Sequence, residues 1–282
     1  MEIYVSTLAF GKQNIEDTIR IAKEEDFALE FSSGLPYNAD TEKIYAAAEV
    51  KKIPHNYFPA PEIPFVLNLA SSNSAIRDQS IQHCVKGLHL SKLANAPFFS
   101  AHAGFCIDPN PEELGRKITY NTGFDKQEHT RLFLASLEII LDEAERLDIG
   151  FLIENNVIAA FNLVNGSENP LLCCEHEEII NILRAVNNNR LGLLLDTAHL
   201  KVSCQTLGID KNNEVDLLEP HIKAIHHSDN DGLKDTNDPM GDGYWFLPYM
   251  KRFSSLPQVI EVKNIDLSEI KQQVKLLQTY GC

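Results

Sequence analysis

"LGLLLDTAHLKVS", residues 191 to 203, places a glycine and three successive leucines behind Leu191, then a carboxylate at Asp196 and an imidazole at His199. So continuous an apolar run reads as a strand buried on both faces, as in parallel sheets. Asp and His at its end have an ordinary explanation, a helix N-cap followed by a hydrogen-bonded core histidine. Whether that explanation suffices depends on what the other strands carry at the same place.

Seven further apolar runs recur along the chain: "IYVSTL" (3 to 8), "FALEFS" (27 to 32), "IPHNYF" (53 to 58), "PFFSAH" (97 to 102), "GFLIEN" (150 to 155), "IKAIHHS" (222 to 228) and "QVIEV" (258 to 262). Between and after them lie amphipathic patterns such as "NIEDTIRIAKEED", "KQEHTRLFLASLEIILDEAERLD" and the final "DLSEIKQQVKLLQTY". Eight strands alternating with helices predict an α/β protein, a (β/α)8 TIM barrel formed by one domain over residues 1–282. An open doubly wound sheet would want a Gly-rich phosphate turn after an early strand, and "TLAFGKQN" is not one. Connections entering strands are short, while those leaving strands four, five and seven are long. That places the long loops at the carboxyl ends of strands, where barrel enzymes build their sites.

Composition narrows the setting. The chain has 282 residues, 44% hydrophobic and 23% charged, which suits a globular protein with a sizeable core. No apolar run approaches a membrane span, and "MEIYVSTLAF" lacks the features of a signal peptide, so a cytoplasmic protein with no membrane partner is expected. A net charge of -15 argues against nucleic acid as a partner unless basic residues or metal ions gather locally. A homo-oligomer is compatible with the sequence. Cys84, Cys106, Cys173, Cys174, Cys204 and Cys282 form no CxxC pair, and reduced thiols are expected. "CCEHEE" (173 to 178) reads as the acidic first turn of a helix rather than a metal site.

Ionisable residues inside the strands carry the chemistry, because an unpaired buried charge is costly. Glu30, His55, His102, Glu154, Asp196, His226 and Glu261 all sit late in, or just past, an apolar run. Glu154, Asp196, His226 and Glu261 come from strands five to eight. Three carboxylates converging on one barrel mouth would repel one another without a cation, so these four residues are expected to ligate one divalent metal ion: Mn, Zn, Co or Mg. His227 should face away from the barrel by strand alternation. Trp245 and Phe246 read as packing residues that could alternatively cover the mouth.

The motifs "LDTAH", "HHSDN", "IEVK", "IENN" and "NLAS" together resemble the xylose isomerase-like barrel superfamily, from about Glu30 to Lys263. That superfamily holds sugar isomerases, ketose 3-epimerases, hydroxypyruvate isomerases and endonuclease IV. The resemblance implies the same four metal ligands. It also implies that His199, of the D-x-x-H motif, lies near substrate in the epimerases or binds zinc in the nuclease. Two departures bear on the nuclease branch. A histidine is wanted before "NLAS", where Glu62 stands, and D-x-H is wanted ahead of the G-x-G loop, where Asp235 and Asn237 stand.

The expected activity is therefore metal-dependent isomerisation or epimerisation of a sugar or sugar phosphate, by proton transfer next to a carbonyl through an enediolate. Glu154 and Glu261 are the expected acid and base, while His199, His102, His55 and Lys263 are expected to bind substrate. The alternatives are an endonuclease IV-like phosphodiesterase acting on abasic DNA, a non-catalytic sugar-binding barrel, or a metal-dependent dehydratase.

Overall fold

A computed structural model of the chain describes residues 1–120 and 123–281; Cys282, expected to be a reduced thiol, lies outside them. Eight parallel strands are arranged in the order β3-β2-β1-β8-β7-β6-β5-β4. They are β1 (Glu2–Ser6), β2 (Ala28–Phe31), β3 (Lys52–Pro54), β4 (Phe98–His102), β5 (Gly150–Glu154), β6 (Leu191–Asp196), β7 (Ile222–His227) and β8 (Pro257–Ile260). The remaining seam, between β3 and β4, is closed by a parallel bridge of His55 with Ser100, where Asn56 N–H donates to the Ser100 carbonyl at 2.7 Å. The (β/α)8 barrel is complete.

The helices are α1 (Ile15–Glu24), α2 (Thr41–Ala47), α3 (Ser74–Leu93), α4 (Lys126–Leu147), α5 (His176–Val186), α6 (Thr197–Leu207), α7 (Lys211–Leu218) and α8 (Leu267–Gly281). Helices α1, α3, α4, α6 and α7 start on side-chain caps that the sequence supplies; the Asn14 side chain accepts from Asp17 N–H at 2.8 Å, and that of Asp125 from Gln127 N–H at 3.0 Å. The alternation is not strict. Two helices, α6 and α7, separate β6 from β7, whereas β7 is followed only by a 3-10 turn at Leu247–Tyr249 before β8.

Strand alternation sorts the interior into layers. Tyr4, Ala28, Ile53, Phe98, Leu152, Leu194, Ala224 and Val259, one from each strand, pack together as an apolar plug inside the barrel. Below it, Gly192 is required by close approach: a Cβ there would lie 2.6 Å from Lys223 Cγ and 2.9 Å from Leu152 Cδ2. Two residues further along each strand come Ser6, Glu30, His55, Ser100, Glu154, Asp196, His226 and Glu261, every one buried. The intervening residues, among them Leu29, Phe99, Phe151, Leu193, Leu195 and Ile225, face outward into the main core beneath the helices. A single period-two register thus lifts a polar layer onto an apolar plug at the carboxyl end of the barrel.

Candidate functional site

Asp196 performs two tasks. Its Oδ1 accepts from His199 N–H at 2.7 Å and so caps α6, while its Oδ2 is buried with no hydrogen-bond partner. The ordinary reading of "LDTAH" is therefore correct for one oxygen and silent about the other. Asn155 fixes the residue in place: its Oδ1 accepts from Asp196 N–H at 2.7 Å and its Nδ2 donates to the Asp196 carbonyl at 3.0 Å. Asparagine caps a helix about as well as aspartate, so Asp196→Asn should hold the thermal midpoint of the metal-free protein within ~2 °C while abolishing high-affinity metal binding. Asp196→Ala should lose both. Differential scanning fluorimetry with and without Mn²⁺ separates the two effects.

Around Asp196 the polar layer converges. One ligand atom each from Glu154, Asp196, His226 and Glu261 lie within 4.8 Å of one another. His226 Nδ1 is 2.9 Å from Glu261 Oε2, 3.5 Å from Glu154 Oε1 and 3.9 Å from Asp196 Oδ2. Both Glu154 oxygens are buried without a hydrogen bond. Unsatisfied buried carboxylate oxygens of this kind are expensive, and the oxygen and imidazole donors suit a divalent cation; the group could hold a metal.

Electrostatics agree with that reading. Burial opposes ionisation of Glu154, yet His102, His55 and His226 around it hold its carboxyl well below the usual range. Burial likewise opposes the charge on Glu261, and His226 overcomes it. Asp196 goes the other way: burial, with Glu261, Glu154 and Asp235 nearby, pushes it up to about 8 against the pull of His199. His226 is raised well above the ordinary histidine value because Glu30 and Glu261 outweigh its burial. Without a cation, the cluster holds protons at neutral pH that a metal ion must displace.

The other sequence candidates divide. His199 Nδ1 donates to the Asn155 carbonyl at 2.8 Å, leaving Nε2 to face Asp235 Oδ2 at 3.4 Å. His102 stacks on His199 with ring centroids 5.5 Å apart and places Nδ1 3.5 Å from Glu154 Oε2. His55 Nε2 is 3.3 Å from the same oxygen, and its Nδ1 lies 2.9 Å from Ser100 Oγ. Lys263 does not join them: its side chain is exposed, and its backbone N–H donates to the Asn237 carbonyl.

One expectation needs correction, and one alternative falls away. An imidazole is not missing ahead of "NLAS": Glu62 is exposed, but His55, seven residues earlier, lies buried at the mouth, 3.3 Å from Glu154 Oε2. Counting back a fixed number of residues from "NLAS" could not find it. Trp245 and Phe246 do not cover the mouth. Phe246 is fully buried against His227 and Phe253, and Trp245 packs on Tyr249 with Lys211 Nζ 5.5 Å above its ring.

One residue carries more than its sequence context promised. Glu30 Oε2 lies 2.8 Å from His226 Nε2, both side chains fully buried, so Glu30 fixes the proton on Nε2 and turns Nδ1 toward the cluster. Other motif residues prove to be braces. Asn68 of "NLAS" accepts from Phe105 N–H at 2.8 Å and from Ala70 N–H at 3.0 Å, and Asn156 of "IENN" donates to the Leu172 carbonyl at 2.8 Å. His227 faces outward, with Nε2 2.7 Å from Gln258 Oε1. The five described cysteines are free and buried.

A cavity of ≈190 Å³ lies next to this layer, lined on that side by His102 and His199, whose rings approach Glu154, and by Lys234 and Asp235. The loops after β4 and β5 wall it in.

Residues 12–277 match the family described as xylose isomerase-like TIM barrel, and the chain belongs to that family. Among curated proteins it is similar to a probable endonuclease 4 of Mesomycoplasma hyopneumoniae strain J, 24% identical over 233 residues, or 76% of this chain and 73% of that one. Among solved structures it resembles a D-tagatose 3-epimerase-like protein, with TM-score 0.75 and 19% identity over 99% of this chain and 97% of the other. It also resembles a Thermus thermophilus protein soaked with ZnCl2, with TM-score 0.66 and 19% identity over 99% and 98% of the two chains. No helix among the described residues is long and apolar enough to cross a membrane.

Proposed function

We propose that the protein is a divalent-metal-dependent isomerase or epimerase of sugars. The observation that carries this reading is Glu154, a buried carboxylate that accepts no hydrogen bond yet is kept ionised by His102, His55 and His226, next to a ≈190 Å³ cavity lined by its neighbours His102 and His199. That volume is below the roughly 300–1,000 Å³ of a drug-sized pocket and suits a monosaccharide rather than a duplex. A D-tagatose 3-epimerase-like protein shares the fold.

A divalent ion held by Glu154, Asp196, His226 and Glu261 would supply Lewis acidity, lowering the pKa of the C–H beside a bound carbonyl. Glu154 then removes that proton. Glu261, reaching the same His226 Nδ1 from strand β8, returns one from the other face, giving the epimer, or places it on the neighbouring carbon, giving aldose–ketose exchange. His199 offers Nε2 to a substrate oxygen, because its Nδ1 proton is committed to Asn155. His102 and His55 keep Glu154 charged, as the direction of its shift requires.

The test combines metal analysis with solvent-deuterium exchange across a panel of ketoses and aldoses. About one metal ion per chain and deuterium incorporated at a single carbon of one sugar support the reading. No exchange from any sugar by metal-loaded protein rejects it.

A second reading, phosphodiester hydrolysis, is favoured by one observation. His102, Glu154 and His199 form another group within 4.8 Å that shares Glu154 with the first, and His55 adds the imidazole whose absence spoke against it. A similar protein is named probable endonuclease 4. Two or more metal ions per chain with nicking of abasic DNA would replace the first reading by this one.

A further inference from the structure

The cavity is unusual for one that receives a polyhydroxylated ligand. Beyond the polar end, its wall is mostly apolar, made by Phe105, Leu114, Ile118, Phe161 and Leu171, and the amides of Asn156 and Asn162 that also line it are spent on backbone groups. Leu114 and Phe161 are 39% and 42% exposed, on separate loops. The wall is preformed. Asn162 Oδ1 accepts from Ile118 N–H at 2.9 Å and Asn162 Nδ2 donates to the Arg116 carbonyl at 3.1 Å, tying the loop after β5 to the loop after β4. An antiparallel bridge of Phe105 with Leu171 joins the same two loops.

Hydroxyl groups laid against such a wall would lose their hydrogen bonds to water without replacement. A phosphate would fare no better: away from the His102 and His199 imidazoles at the polar end, Lys234 is the single cationic side chain among the described lining residues, in a chain of net charge -15. We propose that the substrate carries an apolar alkyl or aryl group on its hydroxy-carbonyl unit, with that unit at the polar end of the cavity against His102 and His199, the neighbours of Glu154, and the apolar group held by Phe161 and Leu114. This rests on the isomerase reading for what lies at Glu154, but the apolar subsite is read by binding alone.

Calorimetric titration of Mn²⁺-loaded protein with matched methyl and phenyl glycosides of glucose, galactose and xylose tests it. For at least one sugar the phenyl glycoside should bind about tenfold tighter than the methyl one. The Phe161→Ala/Leu114→Ala double variant should erase that difference while leaving methyl-glycoside and Mn²⁺ affinities unchanged. Equal binding of every pair, no binding of any phenyl glycoside, or a preference that survives the double variant overturns the proposal. The glycosides, which lack a free carbonyl, report binding alone, and exchange is scored on the free sugars, so the two readings fail separately: a phenyl preference without deuterium exchange on any free sugar removes the isomerase reading alone, whereas exchange on a free sugar with equal binding of every methyl and phenyl pair removes the subsite alone.

Discussion

Glu154→Gln should lower solvent-deuterium exchange by about 10³-fold or more, at the upper part of the range for loss of a positioned general base. Gln keeps the volume and one acceptor oxygen but neither charge nor basicity, so the buried layer should still assemble. Glu261→Gln should cost a comparable factor in net epimerisation. The two differ in a way the geometry dictates: if Glu154 takes the first proton and Glu261 delivers the second, Glu261→Gln should retain washout of the substrate proton into water more readily than it retains product formation. Parallel NMR measurement of washout and product in both variants checks this. Equal exchange in Glu154→Gln and the parent would remove Glu154 from the chemistry.

The second large effect is on stability. Without a cation, folding holds a proton on Asp196 up to about pH 8, whereas an unfolded aspartate releases it near 4. His226 and His199 are likewise raised, their partners outweighing burial. The folded chain therefore binds more protons than the unfolded one between the ordinary histidine range and pH 8. Where that holds, stability falls as pH rises. A chelated sample should accordingly lose thermal midpoint from pH 6 to 8.5. Metal binding displaces those protons and tightens over the same interval. At a hundredfold excess over the dissociation constant it adds about 2.7 kcal/mol, roughly 5 to 10 °C for a chain of this size. Fluorimetry at several pH values with EDTA or Mn²⁺ should show curves that diverge as pH rises; parallel curves would mean that the ion does not sit among these titrating groups.

Much of this site was legible in the sequence because a carboxylate or imidazole ending an apolar run is conspicuous. Glu154, Asp196, His226 and Glu261 announce themselves that way, and strand period alone puts them in one layer. Ser6 and Ser100 occupy the same layer without any such signal, since small hydroxyl residues are common anywhere. Short elements were also hard to see. The eight residues of α7 and the seven of α2 are too few to establish a 3.6-residue period, and β3 shows three residues of strand because His55 continues it only as a single bridge before Asn56 turns into the loop. Glu30 was visible as a buried charge, but its partner, His226, lies 196 residues away. Pairings across that distance are set by barrel closure.

The layered register has a bearing on how such a chain can diversify. Moving one strand by a single residue would trade its polar mouth residue for an outward neighbour such as Leu29 or Leu195 and send a charge into the helical shell. Loop length carries no such penalty, because loops run over the surface and impose no register on the strands they join. Insertions and deletions should therefore be tolerated in the connecting loops and eliminated from the strands, so that relatives of this protein align poorly by residue count while keeping superimposable mouths.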